Sequence, residues 1–350
     1  MTTVTATTDA TDPGGDRVPP AIGRAQVLVR PALEAAVARL STGLRLPIEY
    51  HLGWCDPTGA PTGAPGGKFV RATLALLSAE AAGAPAEVGV PGAVAVELLH
   101  NFSLLHDDVI DHDVERRHRP TVWAVYGVGT AVIAGDALLA LSHQTLLELP
   151  GRGARLASRA LAFATSALIA GEAEDMASES RSDITPDECT AIALGKTAVL
   201  LACASSIGVP LADGDPALAE ALGDFGLNVG LAFQAVDDVL GIWGDPHVTG
   251  KPAGSDLRDR KKTLPIVAAL HAGGSASDEL QQLLELEALD EAQVARAAAL
   301  VEACGGRDRA ESEARRFLDA ALEALSSADV PDPVDAELRA LARFVVDRNA

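Results

Sequence analysis

Aromatic residues make up only 3% of this 350-residue chain and strand-like alternation is scarce, which leaves little from which to build a sheet. Cysteine is sparse too. Cys55, Cys189, Cys203 and Cys304 are widely scattered with no CxxC pair, which argues against a zinc site and a disulfide framework and fits a reducing compartment. Basic residues are outnumbered 28 to 49, a formal net charge of -21, so a general nucleic-acid or anionic-membrane footprint is disfavoured. Any anionic ligand must therefore be held by a local basic cluster. The opening residues, MTTVTATTDATDPGGDR, lack the basic-then-apolar order of an export signal, and no later run reads as long and apolar enough to cross a bilayer. The expectation is a soluble, cytoplasmic protein with no membrane span and no nucleic-acid partner.

What is present is helical pattern. Residues 1–22, rich in Thr, Asp, Pro and Gly, cannot bury enough apolar surface to offset their ordering entropy and read as a disordered tail. From residue 23 to 350 apolar residues recur at spacings of three and four, as in VLVRPALEAAVARL and AVAVELLHNFSLLHDDVIDH. The pattern predicts helices at about 127–149, 153–176, 186–206 and 216–240, with more after Pro265. WCDPTGAPTGAPGGK is a loop, its repeated TGAP being turn punctuation. No mid-chain linker divides the pattern, so the fold expected is one all-α domain, a helical bundle over 23–350.

Chemistry concentrates at two helix ends. In SLLHDDVIDHDVERRHRPTVW, Asp107 and Asp111 share a helix face with Asp108 beside them, and Arg116, Arg117, His118 and Arg119 follow at once. A lone DDxxD is often no more than a solvated acidic helix end. Here the helix is apolar, and carboxylates at its C-terminus oppose the helix dipole unless a cation offsets them. Hard oxygen ligands of this kind suit Mg2+, which takes one or two carboxylates together with water and phosphate oxygens. The pattern returns in FQAVDDVLG, where Asp237 and Asp238 end a second apolar helix, Gln234 lies one turn earlier, and Lys251, Lys261 and Lys262 follow. GGKFVR puts Lys68 and Arg71 at a helix start, where anions are favoured. Lys196 in LGKTAVL would ordinarily snorkel to solvent, and His100 would ordinarily be a satisfied core histidine.

Taken in order, GGKxxR, ELLHNFSLLHDDVID, RRHRPT, AGDALL, GKTA, FQAVDD and GKPAGSDLRDRKKTLP resemble the trans-prenyltransferases, the isoprenyl diphosphate synthases of the all-α isoprenoid synthase fold, from about Gln26 to the C-terminus. The texture is similar to actinobacterial geranylgeranyl diphosphate synthases. The resemblance implies a central apolar cavity and a homodimer. It implies head-to-tail condensation of isopentenyl diphosphate with an allylic diphosphate, by ionisation, condensation and proton elimination. By the same resemblance Asp107, Asp108, Asp111, Asp237 and Asp238 would bind three Mg2+ ions that grip the allylic diphosphate. Arg116, Lys196 and Lys251 would neutralise that diphosphate, while Lys68, Arg71, His100 and Arg117 would hold the diphosphate of isopentenyl diphosphate. Thr197 and Gln234 would stand beside the developing allylic cation.

Three positions depart from the pattern. Gly241 stands where the third aspartate of the second cluster is usual, and Asp245, eight residues beyond Asp237, is poorly placed to replace it. Glu172 in GEAED replaces a glutamine, and Ala72 replaces a proline after Arg71. Phe102 and Ser103, five and four residues before the first aspartate, resemble the pair in enzymes that stop at the C20 product, geranylgeranyl diphosphate. Farnesyl diphosphate (C15) is the next reading. A class I terpene cyclase would not need the Lys68, Arg71, His100 and Arg117 set, and a shell-cargo or partner-subunit role would not need intact aspartates.

Overall fold

The computed structural model describes residues 18–63, 67–246 and 253–346. The chain runs α1 (Pro20–Val37), α2 (Thr42–His51), α3 (Val70–Ala81), α4 (Val90–Ile110), β1 (Glu115–Arg116), β2 (Arg119–Pro120), α5 (Val122–Tyr126), α6 (Val128–Leu147) and α7 (Gly151–Glu179). It continues through α8 (Pro186–Ala193), a π-helical turn (Leu194–Ala198), α9 (Val199–Ser206), α10 (Gly208–Leu211) and α11 (Pro216–Trp243). After residues 247–252 come α12 (Ser255–Arg258), α13 (Leu264–His271), α14 (Ser275–Leu284), α15 (Glu291–Ala303), α16 (Gly306–Ser326) and α17 (Asp332–Val346). The all-α reading holds, and the four mid-chain helices fall where the periodicity puts them.

Helix α1 corrects the tail boundary. Pro20 occupies the first helical position, where its missing N–H costs nothing, and Ala21 and Ile22 are already buried. Residues 1–17 lie outside the described residues.

Every residue of α4 from Gly92 to Leu99 is buried, as expected of a helix that is apolar all round, and α1, α3, α6 and α9 pack against it. Its C-terminal turn, carrying the first aspartates, is thereby anchored by the main core. The end of α11 has separate support: Ile242 packs with Leu257, Ile266, Leu280 and Leu300 in a smaller apolar cluster that also fixes α12 and α13.

The expectation of no membrane-length segment is corrected. Ala86–Ile110, Val128–Leu147, Pro186–Leu211 and Pro216–Trp243 are long and apolar enough to cross a bilayer by length and composition. In three of them 61–72% of the apolar window is buried within the bundle, so there the apolarity serves helix packing; in Val128–Leu147 the share is 39%.

One small sheet was not foreseen. β1 and β2 form an antiparallel hairpin in which Glu115 pairs with Pro120 and Arg116 with Arg119. Its two turn residues, Arg117 and His118, both have positive φ (53° and 59°). Such a turn favours Asn-Gly, and a larger side chain there costs on the order of 1–2 kcal/mol.

Candidate active site

The first acidic end is crowded and each carboxylate has a different neighbour. Asp108 is buried and accepts from Arg116 Nε at 2.5 Å. Asp111 Oδ2 lies 3.1 Å from Lys261 Nζ. Burial first, then Glu172, and to a lesser degree Asp111, push Asp107 up to about 7, against the opposing pull of Lys196 and Arg116. Asp107 therefore sits in a field that is net unfavourable to its charge.

Lys196 is not a snorkelling lysine. Its Nζ is 2.7 Å from both Glu172 Oε2 and Asp175 Oδ2, two residues on one face of α7. Burial alone would depress the ammonium, but Asp175, Glu172 and Asp107 together hold it above its ordinary value. The contact requires α7 to meet the π-helical turn closely. Gly171 and Gly195 make that possible: a Cβ on Gly171 would collide with the Gly195 and Lys196 backbone. Single π turns inside helices often mark functional sites, and this one presents Lys196 and Thr197 together.

In the second acidic end Asp238 is buried and accepts from Gln234 Nε2 (2.9 Å) and from Leu264 N (3.1 Å). Thr197 donates to Gln234 Oε1 at 2.8 Å, completing a relay from the π turn to the carboxylate. Burial pushes Asp238 up to about 7, with Asp256 and Asp237 adding to it, although the two hydrogen bonds pull the other way. Gly241 is where a third carboxylate is absent, and its space is filled: a Cβ there would overlap the Asp256 carboxylate. One short stretch ties the two ends together, since Leu264 N bonds Asp238 and Lys261 bonds Asp111.

Beside the first end lies a cleft of about 170 Å³ lined by His51, Asp108, Arg116 and Arg117, among others. The strained hairpin turn delivers Arg117 to it. Burial, then Arg116, lower the Arg117 guanidinium from its ordinary value, while Glu97 and Asp108 raise it. Burial also raises the Glu97 carboxyl, which accepts from Ala72 N at 3.1 Å and feels both Arg71 and Arg117. His100 is held well below its usual range by burial, Arg71, Arg117, Arg116 and His51 in that order.

The four bases after the aspartates thus divide. Arg116 holds Asp108 and Arg117 lines the cleft, as does Arg119, whose polar contacts are structural. Its guanidinium lies 4.3 Å over the Tyr50 ring and donates to Tyr50 O (3.0 Å) and Cys55 O (2.8 Å). His118 points outward.

Of the residues named from sequence, Arg71, His100 and Arg117 are drawn together and Lys68 stands exposed just before α3. Lys251 lies outside the described residues. Asp245 is exposed, past the end of α11. Ser103 donates its hydroxyl to His100 O at 2.9 Å, and Phe102 is buried with its ring edge-on to His106, centroids 4.8 Å apart. Sequence reasoning missed Asp175, Asp256, Glu97 and His51, and it named Lys261 as a base after the second cluster without pairing it to Asp111. Asp175 and Glu172, three apart on a helix, were a readable pair; the others become neighbours only through the fold.

Among the described residues no three His, Cys, Asp or Glu side chains converge closely enough to hold an ion by themselves. The donor set still fits Mg2+, which needs only one or two carboxylates when phosphate oxygens complete it. Asp107, pushed up to about 7 with Lys196 and Arg116 already nearby, is a carboxylate that a further cation would relieve.

Residues 59–301 match the family described as Polyprenyl synthetase. A polyprenyl synthetase from Streptomyces coelicolor superposes with a TM-score of 0.90 at 50% identity, over 93% of this chain and 99% of that one. The chain is 46% identical over 338 residues to a (2E,6E)-farnesyl diphosphate synthase of Mycobacterium tuberculosis, covering 95% of this chain and 94% of the relative. A geranylgeranyl diphosphate synthase of the same organism is 42% identical over 328 residues, 93% and 92% of the two chains. With two acidic helix ends, their lysines and an arginine cleft inside that fold, the chain belongs to the polyprenyl synthetase family and is a trans-prenyltransferase.

Proposed function

We propose that the protein condenses isopentenyl diphosphate with an allylic diphosphate and releases geranylgeranyl diphosphate as its main product. The observation that carries this is the division of the site into two anion-binding regions. The paired acidic ends with Lys196 and Lys261 form one, and the Arg117 cleft forms the other. Two diphosphate substrates call for that division, and a cyclase with one substrate does not.

Asp107, Asp111 and Asp237 face the allylic diphosphate and its Mg2+, three ions in the full complement, with Asp108 and Asp238 behind them. Bound Mg2+ would supply charge stabilisation on the leaving diphosphate. Lys196, Lys251 and Arg116 add fixed positive charge to the same group. Lys68, Arg71, His100 and Arg117 orient the second diphosphate, and Thr197 with Gln234 presents oxygen dipoles to the allylic cation. Apolar walls exclude the water that would quench it.

Small Ser103 beside large Phe102 supports a C20 stop. A C15 stop is the second reading, favoured by the 46% identity to a farnesyl diphosphate synthase. Incubation with isopentenyl diphosphate, each allylic primer and Mg2+, followed by chain-length analysis, tests both: a C20 diphosphate is expected, a C15 end product would replace the first reading, and released hydrocarbon would replace the reaction itself. We further propose a homodimer, supported by exposed Ile133 and Phe163 on α6 and α7, and residence in a reducing cytoplasm, supported by four unpaired cysteines.

A further inference from the structure

His51, the last residue of α2, belongs to the YHLGW stretch that no assigned role has used. It lines the cleft with Arg116 and Arg117. Asn101 of α4 stands beside the imidazole, with its own Nδ2 donating to Glu97 O at 2.8 Å. Nε2 of His51 is shielded from solvent and has no hydrogen-bond partner among the described residues. The cleft thus holds a buried ring nitrogen with nothing to bond it.

The surroundings explain why the ring stays neutral. Burial first, then Arg117, Arg116 and Arg119, push it down to about 3. The other titratable groups near it are His100, itself held neutral, and Asp108, which Arg116 already neutralises. A cationic site with an orphaned nitrogen is incomplete without an anion. Once a diphosphate lies in the cleft, its negative charge opposes that of the arginines and the ring becomes a good place for a proton.

We propose that His51 is a further ligand of the diphosphate bound by Arg117: as the anion enters, the ring takes one proton from solvent and Nε2 donates a hydrogen bond to a phosphate oxygen. No covalent bond changes. The inference rests on the reading of this cleft as the isopentenyl diphosphate site, and it adds a proton to the stoichiometry of binding there. A buried charge-assisted bond is among the stronger polar contacts, so its loss weakens binding roughly tenfold or more.

The test is calorimetric titration of the full-length protein with isopentenyl diphosphate alone, near neutral pH, in two buffers of different ionisation heat. Wild type should take up more protons than His51→Gln or His51→Leu, by up to about one, reflecting the ring's passage from neutral to charged. His51→Leu should bind roughly tenfold more weakly, while His51→Gln, which keeps a neutral donor, should retain most of the affinity without the extra proton. In turnover the KM for isopentenyl diphosphate should rise while the KM for the allylic substrate stays fixed. Equal proton uptake by wild type and His51→Gln overturns the proposal, even if His51→Leu does not fold. Arg117→Gln separates the underlying reading: unchanged affinity there removes the cleft as the diphosphate site, whereas weakened binding with His51 variants unaffected removes His51 alone.

Discussion

At the end of α4 the aspartates stand at positions one, two and five of the motif; at the end of α11 they stand at one and two, and Gly241 takes the fifth. In both ends the second aspartate is buried and turned toward the protein, Asp108 to Arg116 and Asp238 to Gln234 and the Leu264 amide. Helical geometry requires this, because neighbours lie about 100° apart while residues four apart share a face. The first and fifth positions are left for the site. What differs is who occupies the fifth: Asp111 from the same helix in one end, and Asp256 from α12 in the other. A motif is thus a statement about a surface, and a carboxylate can reach that surface from elsewhere in the chain.

The sharpest way to break the comparison is to remove a first-position carboxylate. Asp107→Ala should lower kcat by about a thousandfold, since on the proposed reading it deletes charge directed at the reacting group rather than at the protein. Thermal stabilisation by Mg2+ with inorganic diphosphate should fall with it, as read by melting curves. Asp108→Asn should differ in kind: it leaves Arg116 without its buried partner and lowers stability by about 1–3 kcal/mol in urea titrations. Equal kinetic losses for the two would mean that both aspartates serve the site alike.

Gly241→Asp is next. Restoring the third aspartate would place its side chain on the Asp256 carboxylate, so α12 must move and kcat should fall roughly tenfold or more. Combined with Asp256→Ser the same change should recover much of the loss. An unaffected single variant would show that the two groups do not compete for the space.

Asp238 gives a smaller, pH-dependent effect. Its carboxyl is pushed up to about 7 in the folded protein, above the ordinary value of 3.8, so the native state binds the extra proton between those limits. Stability is therefore favoured below about pH 4 and declines as pH rises through about 7, by up to about 4 kcal/mol from this group. Asp238→Asn should flatten that slope in melting curves taken from pH 5 to 8. An equal slope in both proteins would place the titration elsewhere.

These contrasts also show what could be read in advance. Helix positions were legible because α4 and α11 are apolar at helical spacing, and the aspartates, lysines and arginines stood out because they cluster in short motifs. The hairpin was not, since β1 and β2 contribute two residues each and Arg117 with His118 breaks the usual turn chemistry. The pairings of Asp256, Lys261, His51 and Glu97 were not, because their partners lie on other elements and no local pattern announces them. Lys196 was legible as a lysine in an apolar helix, but its carboxylate partners depend on α7 meeting the π turn at Gly171 and Gly195.

The mildest test concerns the residues before the first aspartate, where both product readings meet. Phe102 does not stand directly beneath Asp107; it is buried, and its ring meets His106, whose Nε2 lies 3.0 Å from Val132 O on α6. The aromatic is thus braced against a second helix, which is what a wall needs if it is to stop a growing chain. Phe102→Ala should leave the rate within a few-fold and shift the main product to a longer chain, measured by chromatography of the dephosphorylated products. Removing the phenyl ring opens room on the scale of one isoprene unit, at a stability loss of about 3–5 kcal/mol for a buried phenylalanine. An unchanged product in a folded variant would assign the ring to packing alone and leave the stop to another wall.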